Sequence, residues 1–236
     1  MGNLNQPSMR MLSVRGLSAG YAEKVAFENL YLDFLEGQTA VLLGPGNSGK
    51  STLINILTGR HAGWCQGNIY QPWPVPAFVP QEMSKSETQS LGQLILKLNP
   101  RIRNPERQIR LQWKEYPKIY SLLEAGIDQP LGSLTEAVQR LARVTLTLIQ
   151  KNELTLLDEP EVGMGYEQLE ALIANLNRFK QGRTMLIVTH HLGLARSVGD
   201  FIVLMAYGRV IESKPCQVFF TEPTHPYTQS VIRMGC

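Results

Sequence analysis

The residues with the clearest chemical potential in this sequence are the eight of GPGNSGKS, Gly44 to Ser51. A glycine, four residues and then Gly-Lys-Ser is a pattern that wraps phosphate. Gly44, Gly46 and Gly49 let the backbone curl, with Pro45, Asn47 and Ser48 between them, so that N–H groups can converge on phosphate oxygens. The helix expected next turns its positive end on the same oxygens. Lys50 would reach the outer phosphates, and Ser51 would ligate magnesium, with Thr52 beside it.

A second group completes this chemistry. ELTLLDEP places Asp158 and Glu159 directly after an apolar run, where a buried strand would deliver both carboxylates to the carboxyl edge of a sheet. Asp158 can hold the magnesium shell, and Glu159 is placed to orient or deprotonate a water attacking a terminal phosphate. Gln81 follows AFVP and His190 follows TMLIVT, so both can point into the same crevice.

The elements that must position these residues follow from periodicity. MLSVRGLSAGY and VAFENLYLDFLEGQ read as strands, the latter half-buried by its alternation. TAVLLG is a compact apolar strand entering the glycine loop, and STLINILTGR is the helix after it. The proline-rich QPWPVPAFVPQE leads into a more polar helical region from about 91 to 127, including RNPERQIRLQWKEYPKIYSLLEAGI. A helix over about 135–150, a strand in ELTLLD, a helix over about 166–180 and a strand in TMLIVTH follow. FIVLMAYGRVIES gives two short strands. Near-continuous apolar strands alternating with helices predict an α/β domain, a mainly parallel sheet covered on both faces.

Bulk properties exclude several classes. A net charge of +3 with scattered Lys and Arg argues against nucleic acid as a partner. Cys65, Cys216 and Cys236 are too few and too dispersed for a disulfide framework or a four-ligand zinc site, which predicts a reducing, cytoplasmic setting. No apolar run approaches the roughly eighteen residues of a membrane span, and the first twenty residues hold no signal-like core. Trp64, Trp73 and Trp113 read as packing residues.

The order of glycine loop, Gln81, an LTEAV stretch, LLDEP and THH resembles the ATP-binding cassette of ABC transporters over almost the whole chain. The resemblance implies a P-loop NTPase fold over 1–236, with an antiparallel β subdomain, a helical lobe inserted at about 86–150 and a tail from about 213. It implies ATP and Mg²⁺ as ligands, a second cassette and transmembrane permease subunits as partners, with a substrate-binding protein in importers, and a place on the inner face of the membrane. By the same resemblance Gln81 senses magnesium and faces the membrane subunit, His190 contacts the γ-phosphate, and Tyr21 in SAGY stacks on adenine. The tail TEPTHPYTQSVI resembles that of peptide and nickel type importer subunits, which often continue into a cysteine-bearing extension. A GTP-binding fold would need an Asn-Lys-x-Asp stretch, which this sequence lacks.

Counting back from Asp158, LTEAV (Leu134 to Val138) falls where that family carries LSGGQ, the signature that meets the partner cassette's ATP. Glu136 and Ala137 replace its glycines and Val138 its glutamine. A carboxylate about 4 Å from a phosphate charge, at an effective dielectric near 20, is repelled by roughly 4 kcal/mol. EVGMG, Glu161 to Gly165, likewise replaces the family's SALD-like D-loop. The residues for the chain's own ATP are intact while those offered to a neighbour are altered, which predicts one half of an asymmetric pair. An ATP-responsive regulatory module of a non-transport complex is the alternative, and a homodimeric ATPase ranks third.

Overall fold

The computed structural model describes residues 10–82, 87–98, 104, 107, 117–124, 126–150 and 152–235. Trp113 and most of RNPERQIRLQWKEY lie outside them.

Strand β3 (Thr39–Leu43) is buried at every residue. It pairs in parallel with β7 (Thr184–Thr189) on one side and β8 (Phe201–Ala206) on the other. The sheet extends through β6 (Leu154–Asp158) to β5 (Ala77–Val79), both parallel, and ends at the antiparallel edge strand β9 (Arg209–Pro215). The order is β5-β6-β7-β3-β8-β9, with only the last pair antiparallel.

Alternation along β3 divides the core into two layers. Val41 and Leu43 face one cluster, with Leu157, Ile187, Ile202 and Leu204 from neighbouring strands. Helix residues cover it, from α4 (Glu136–Ile149), α5 (Tyr166–Phe179), α6 (Leu192–Val198) and α7 (Cys216–Thr221). Ala40 and Leu42 face the other cluster, with Leu156, Val188 and Val203. That face is covered by α1 (Lys50–Leu57) and by a three-stranded antiparallel sheet of β1 (Met11–Tyr21), β2 (Lys24–Leu35) and β4 (Trp64–Tyr70), in the order β2-β1-β4. Two further short helices, α2 (Leu91–Leu98) and α3 (Pro117–Glu124), belong to the helical region expected from the sequence.

The expected strands and the helices after the glycine loop, before LLDEP and after it all form. Three elements had no clear sequence signal. β4 is exposed at nearly every residue and owes its strand conformation to pairing with β1, not to an apolar pattern. The short helices α6 and α7 were also unmarked. Of the tryptophans, Trp73 is buried, while Trp64 is partly exposed and donates its indole N–H to the Ala22 carbonyl at 3.1 Å.

The tail is fastened by one carboxylate. Glu212 on β9 accepts the backbone N–H groups of Thr224 and His225 at 2.9 and 3.1 Å, the Thr224 hydroxyl at 2.8 Å and the Lys214 ammonium at 2.8 Å. Helix α8 (Pro226–Met234) thus begins beside a buried anion that suits its dipole. Burial opposes ionisation of Glu212, but hydrogen bonds from Lys214 and Thr224 outweigh it and hold the pKa well below the carboxylate range. A carboxyl depressed on folding adds stability that is complete above its ordinary pKa of 4.5 and lost as pH falls through the folded value. Glu212→Ala should destabilise the chain by roughly 1–3 kcal/mol at neutral pH. Urea denaturation and hydrogen exchange over residues 222–235 should show a much smaller effect in acid.

Candidate functional site

Because β5, β6, β7 and β3 run parallel, their carboxyl ends lie along one edge, and each delivers one part of the site there. Val79 ends β5 two residues before Gln81, Asp158 ends β6, Thr189 ends β7 before His190, and Leu43 ends β3 before the glycine loop. Neighbouring strands lie roughly 4.8 Å apart. Glu159, from the middle strand of the first three, is therefore flanked by Gln81 on one side and His190 on the other.

The side chains meet as that order requires. Gln81 Nε2 donates to Glu159 Oε2 at 2.9 Å, and His190 Nδ1 lies 3.5 Å from Glu159 Oε1. Glu159 has φ +45°, a left-handed conformation that is costly for a residue with a Cβ. Its N–H donates to Val188 O at 2.9 Å, and its carbonyl accepts from Val162 N at 3.2 Å and from the Arg140 guanidinium at 3.4 Å. These bonds hold the strained peptide and aim the carboxylate across the strand ends.

Residues Gly46 to Thr52, with Gln81 and Glu159, line a pocket of about 300 Å³. Gly44 has φ +153°, and a Cβ there would meet the Met205 carbonyl at 2.0 Å, so the turn out of β3 requires glycine. Lys50 is buried, and its ammonium is turned into the loop, donating to the carbonyls of Gly44 and Pro45 at 2.8 and 2.7 Å and to Ser48 Oγ at 3.0 Å. Burial lowers its pKa, opposed by Glu159, Asp158 and Glu161. Ser51 Oγ donates to Asp158 Oδ1 at 3.4 Å.

A hydroxyl and a carboxylate at that separation are the oxygen donors a magnesium ion takes from protein, the rest of its shell coming from water and phosphate. Among the described residues no cluster of three or more His, Cys, Asp or Glu side chains could hold a metal ion. Ser51 and Asp158 are the residues that would hold it.

Glu161 had been noted only as a departure from the family pattern, yet it is built into the site. It is buried, accepts a short hydrogen bond from the Thr189 hydroxyl and has a second oxygen without a partner among the described residues. Thr189 in turn accepts the His191 N–H at 2.8 Å, tying the residues after LLDEP to those around His190. Burial raises the Glu161 pKa against the Thr189 hydrogen bond.

The LTEAV stretch differs in detail from the sequence expectation. Leu134 is extended, Thr135 stands at the N-cap position of α4 without a side-chain capping bond, and Glu136 opens the helix. Ala137 is buried. The Glu136 side chain is 56% exposed. It is not a free charge: Oε1 lies 2.6 Å from Arg140, whose side chain is fully buried. The pair offsets part of the repulsion expected from an isolated carboxylate. Tyr21, at the end of β1, is 43% exposed with its ring against His61.

Beyond Gln81 opens a second, larger groove of about 650 Å³, lined by Phe78, Val79, Pro80, Leu94 and Leu146 together with Arg60, Lys97 and Arg143.

Comparison with known proteins identifies the family. Residues 27–162 match the family model of the ABC transporter, and the chain belongs to that family, whose ATP-binding subunits are ATPases. It is 24% identical to the phosphate import ATP-binding protein PstB of Pyrobaculum aerophilum, covering 95% of this chain and 98% of that protein. It is 26% identical to the zinc import ATP-binding protein ZnuC of Alkalilimnicola ehrlichii, over 89% of this chain and 80% of the relative. Among solved structures it superposes on a bacterial Atm1-family ABC exporter with ATP bound, with a TM-score of 0.77 at 16% identity, covering 97% of this chain and 42% of the exporter. It also superposes on a dimeric bacterial ABC transporter cassette, with a TM-score of 0.69 at 21% identity, covering 87% and 98%. No helix among the described residues is long and apolar enough to cross a membrane.

Burial, then the neighbouring Glu159, push the Asp158 pKa up to about 6, against the Ser51 hydrogen bond and Lys50. A carboxyl raised on folding binds its proton more tightly in the fold, so stability declines as pH rises from the ordinary 3.8 to about 6 and the full cost remains above that. Two pKa units correspond to roughly 3 kcal/mol. Asp158→Asn should therefore stabilise the nucleotide-free chain at pH 8, with the gain vanishing below about pH 4 in urea denaturation. A gain equal at both pH values would contradict the assignment.

Proposed function

We propose that this chain is the ATP-binding and hydrolysing subunit of an ABC transporter, forming one half of an asymmetric cassette pair. The observation that carries the reading is the contrast between the two surfaces around α4. The chain's own pocket has its phosphate loop, Ser51, Asp158, Glu159, Gln81 and His190 converging, whereas the signature it offers a partner begins with Glu136 tied to a buried arginine.

Ser51 and Asp158 would hold magnesium, which would supply charge neutralisation on the phosphates. The loop N–H groups and Lys50 bind the outer phosphates once the ammonium leaves the Gly44 and Pro45 carbonyls. Glu159 aligns the attacking water and takes its proton. Its carboxylate accepts from Gln81 at one oxygen and has His190 3.5 Å from the other, and the lone pairs that remain can receive the water. Pro80 and Glu82, on either side of Gln81, line the groove with Phe78, Leu94 and Arg143, which is where a cytoplasmic segment of a permease subunit would sense a movement of Gln81. Such a subunit lies on the inner face of the membrane through its partners. The tail motif supports the peptide- or nickel-type importer, in which a substrate-binding protein delivers the cargo.

The partner's ATP, facing Leu134 to Val138, would meet the Glu136 carboxylate and turn over slowly. Glu136→Gln removes that charge yet keeps an acceptor for Arg140, whereas Glu136→Gly would strand a buried guanidinium and destabilise the fold. The assembled complex carrying Glu136→Gln should hydrolyse ATP several-fold faster, with Glu159→Gln as the inactive control. An unchanged rate with nucleotide bound at both sites would remove Glu136 as the brake.

A further inference from the structure

His190 is placed by its backbone more than by its own contacts. Its side chain is 55% exposed, and its ring meets Glu159 Oε1 at 3.5 Å. The residues on either side of it are fastened. Thr189 ends β7 fully buried, in register with Leu43 of the central strand. His191 stands at the N-cap of α6, where its Nδ1 accepts the Leu194 N–H at 3.0 Å and its carbonyl accepts the Ala195 N–H at 3.1 Å. Between these two anchors the Thr189 hydroxyl accepts the His191 N–H at 2.8 Å, closing a turn over His190. The direction in which His190 leaves the sheet therefore depends on how that hydroxyl is held.

A hydroxyl has one proton to give, and this one goes to Glu161 Oε1 in a short hydrogen bond. Accepting from His191 while donating to Glu161, the Thr189 side chain is fixed from both ends. Glu161 is itself anchored in the turn after β6. Its carbonyl accepts the Met164 N–H at 3.0 Å, beside the bond from Val162 N to the Glu159 carbonyl at 3.2 Å. The bond between Glu161 and Thr189 thus joins the turn that carries Glu159 to the turn that carries His190. Glu161 is only 7% exposed, and its second oxygen has no hydrogen-bond partner among the described residues. A carboxyl buried in this way is a costly choice for filling space. What it supplies, and an apolar side chain cannot, is an acceptor within reach of Thr189.

We propose that Glu161 is a positioning residue for His190: by holding the Thr189 hydroxyl it keeps the imidazole beside Glu159, facing a terminal phosphate, and so contributes to a preference for ATP over ADP. The proposal rests on the reading of His190 as the contact to the γ-phosphate and adds the residue that holds it there. ADP has no phosphate at that position, so a displaced His190 costs affinity for ATP alone. A shift on the order of 1 Å at a positioned group is enough to remove most of its effect.

The test uses the full chain alone, with dissociation constants for ATP and ADP measured by calorimetry in the presence of magnesium. His190→Ala should weaken ATP about tenfold, the size of a hydrogen bond to a charged group, and leave ADP within about twofold. Glu161→Ala should weaken ATP about fivefold, again with ADP nearly unchanged. Glu161→Gln retains an acceptor oxygen for Thr189 and should restore the native affinity. Thr189→Val removes the hydroxyl, should match Glu161→Ala, and serves as a second variant with the carboxyl in place. In a chain already carrying His190→Ala, the further change Glu161→Ala should have no effect on ATP. Equal losses for ATP and ADP in Glu161→Ala would make Glu161 a packing residue and overturn the proposal. The full loss persisting in the His190→Ala chain, or no rescue by Glu161→Gln, would overturn it as well. Native ATP affinity in His190→Ala would sink the γ-phosphate reading and the proposal together. A loss in His190→Ala with none in Glu161→Ala or Thr189→Val would sink the proposal alone.

Discussion

The Glu159 carboxylate is shared between Gln81 and His190, and the rest of the site depends on that arrangement. It exists because β5, β6 and β7 are adjacent and parallel, so three residues distant in sequence reach one edge of the sheet in spatial order. The cost of placing Glu159 there is a left-handed backbone. That cost is borne by hydrogen bonds from two directions, the N–H to β7 and the carbonyl to Val162 and Arg140. A sheet with the same strands in another order would carry the same motifs without a site.

Arg140 joins two surfaces that the motifs treat separately. It is buried, holds Glu136 at the start of α4 and touches the Glu159 carbonyl. The start of α4 and the peptide that aims Glu159 therefore share one guanidinium. An ion pair of this kind gains little net stability over apolar packing, but it is expensive to break from one side. Residues 136 and 137 are thus built into the packing of α4, with Ala137 buried and Glu136 answering Arg140.

Much of this was legible in the sequence because the informative residues follow apolar strands. Leu43, Val79, Asp158 and Thr189 end fully or largely buried runs, and the residues just after them had to emerge at the carboxyl edge. The elements missed were those whose structure depends on distant partners. β4 is polar and exposed and becomes a strand by pairing with β1. Glu161 looked like a loop substitution until its contact with Thr189 placed it inside the site. Glu136 was read as an obstructing charge, but its partner sits four residues on, on the same helical face, a spacing visible in the sequence once α4 is known to begin at Glu136.

The central claim is that this chain holds a complete pocket for its own ATP and cannot complete one for a copy of itself. The most direct measurement is the ATPase rate of the isolated chain as a function of its concentration, with Lys50→Ala as the blank and nucleotide binding measured in parallel. The account predicts that the native chain binds ATP while its turnover stays at the blank level at every concentration. A rate that rises faster than linearly with concentration and disappears in Lys50→Ala would show that two copies of LTEAV support a working dimer, and would contradict it.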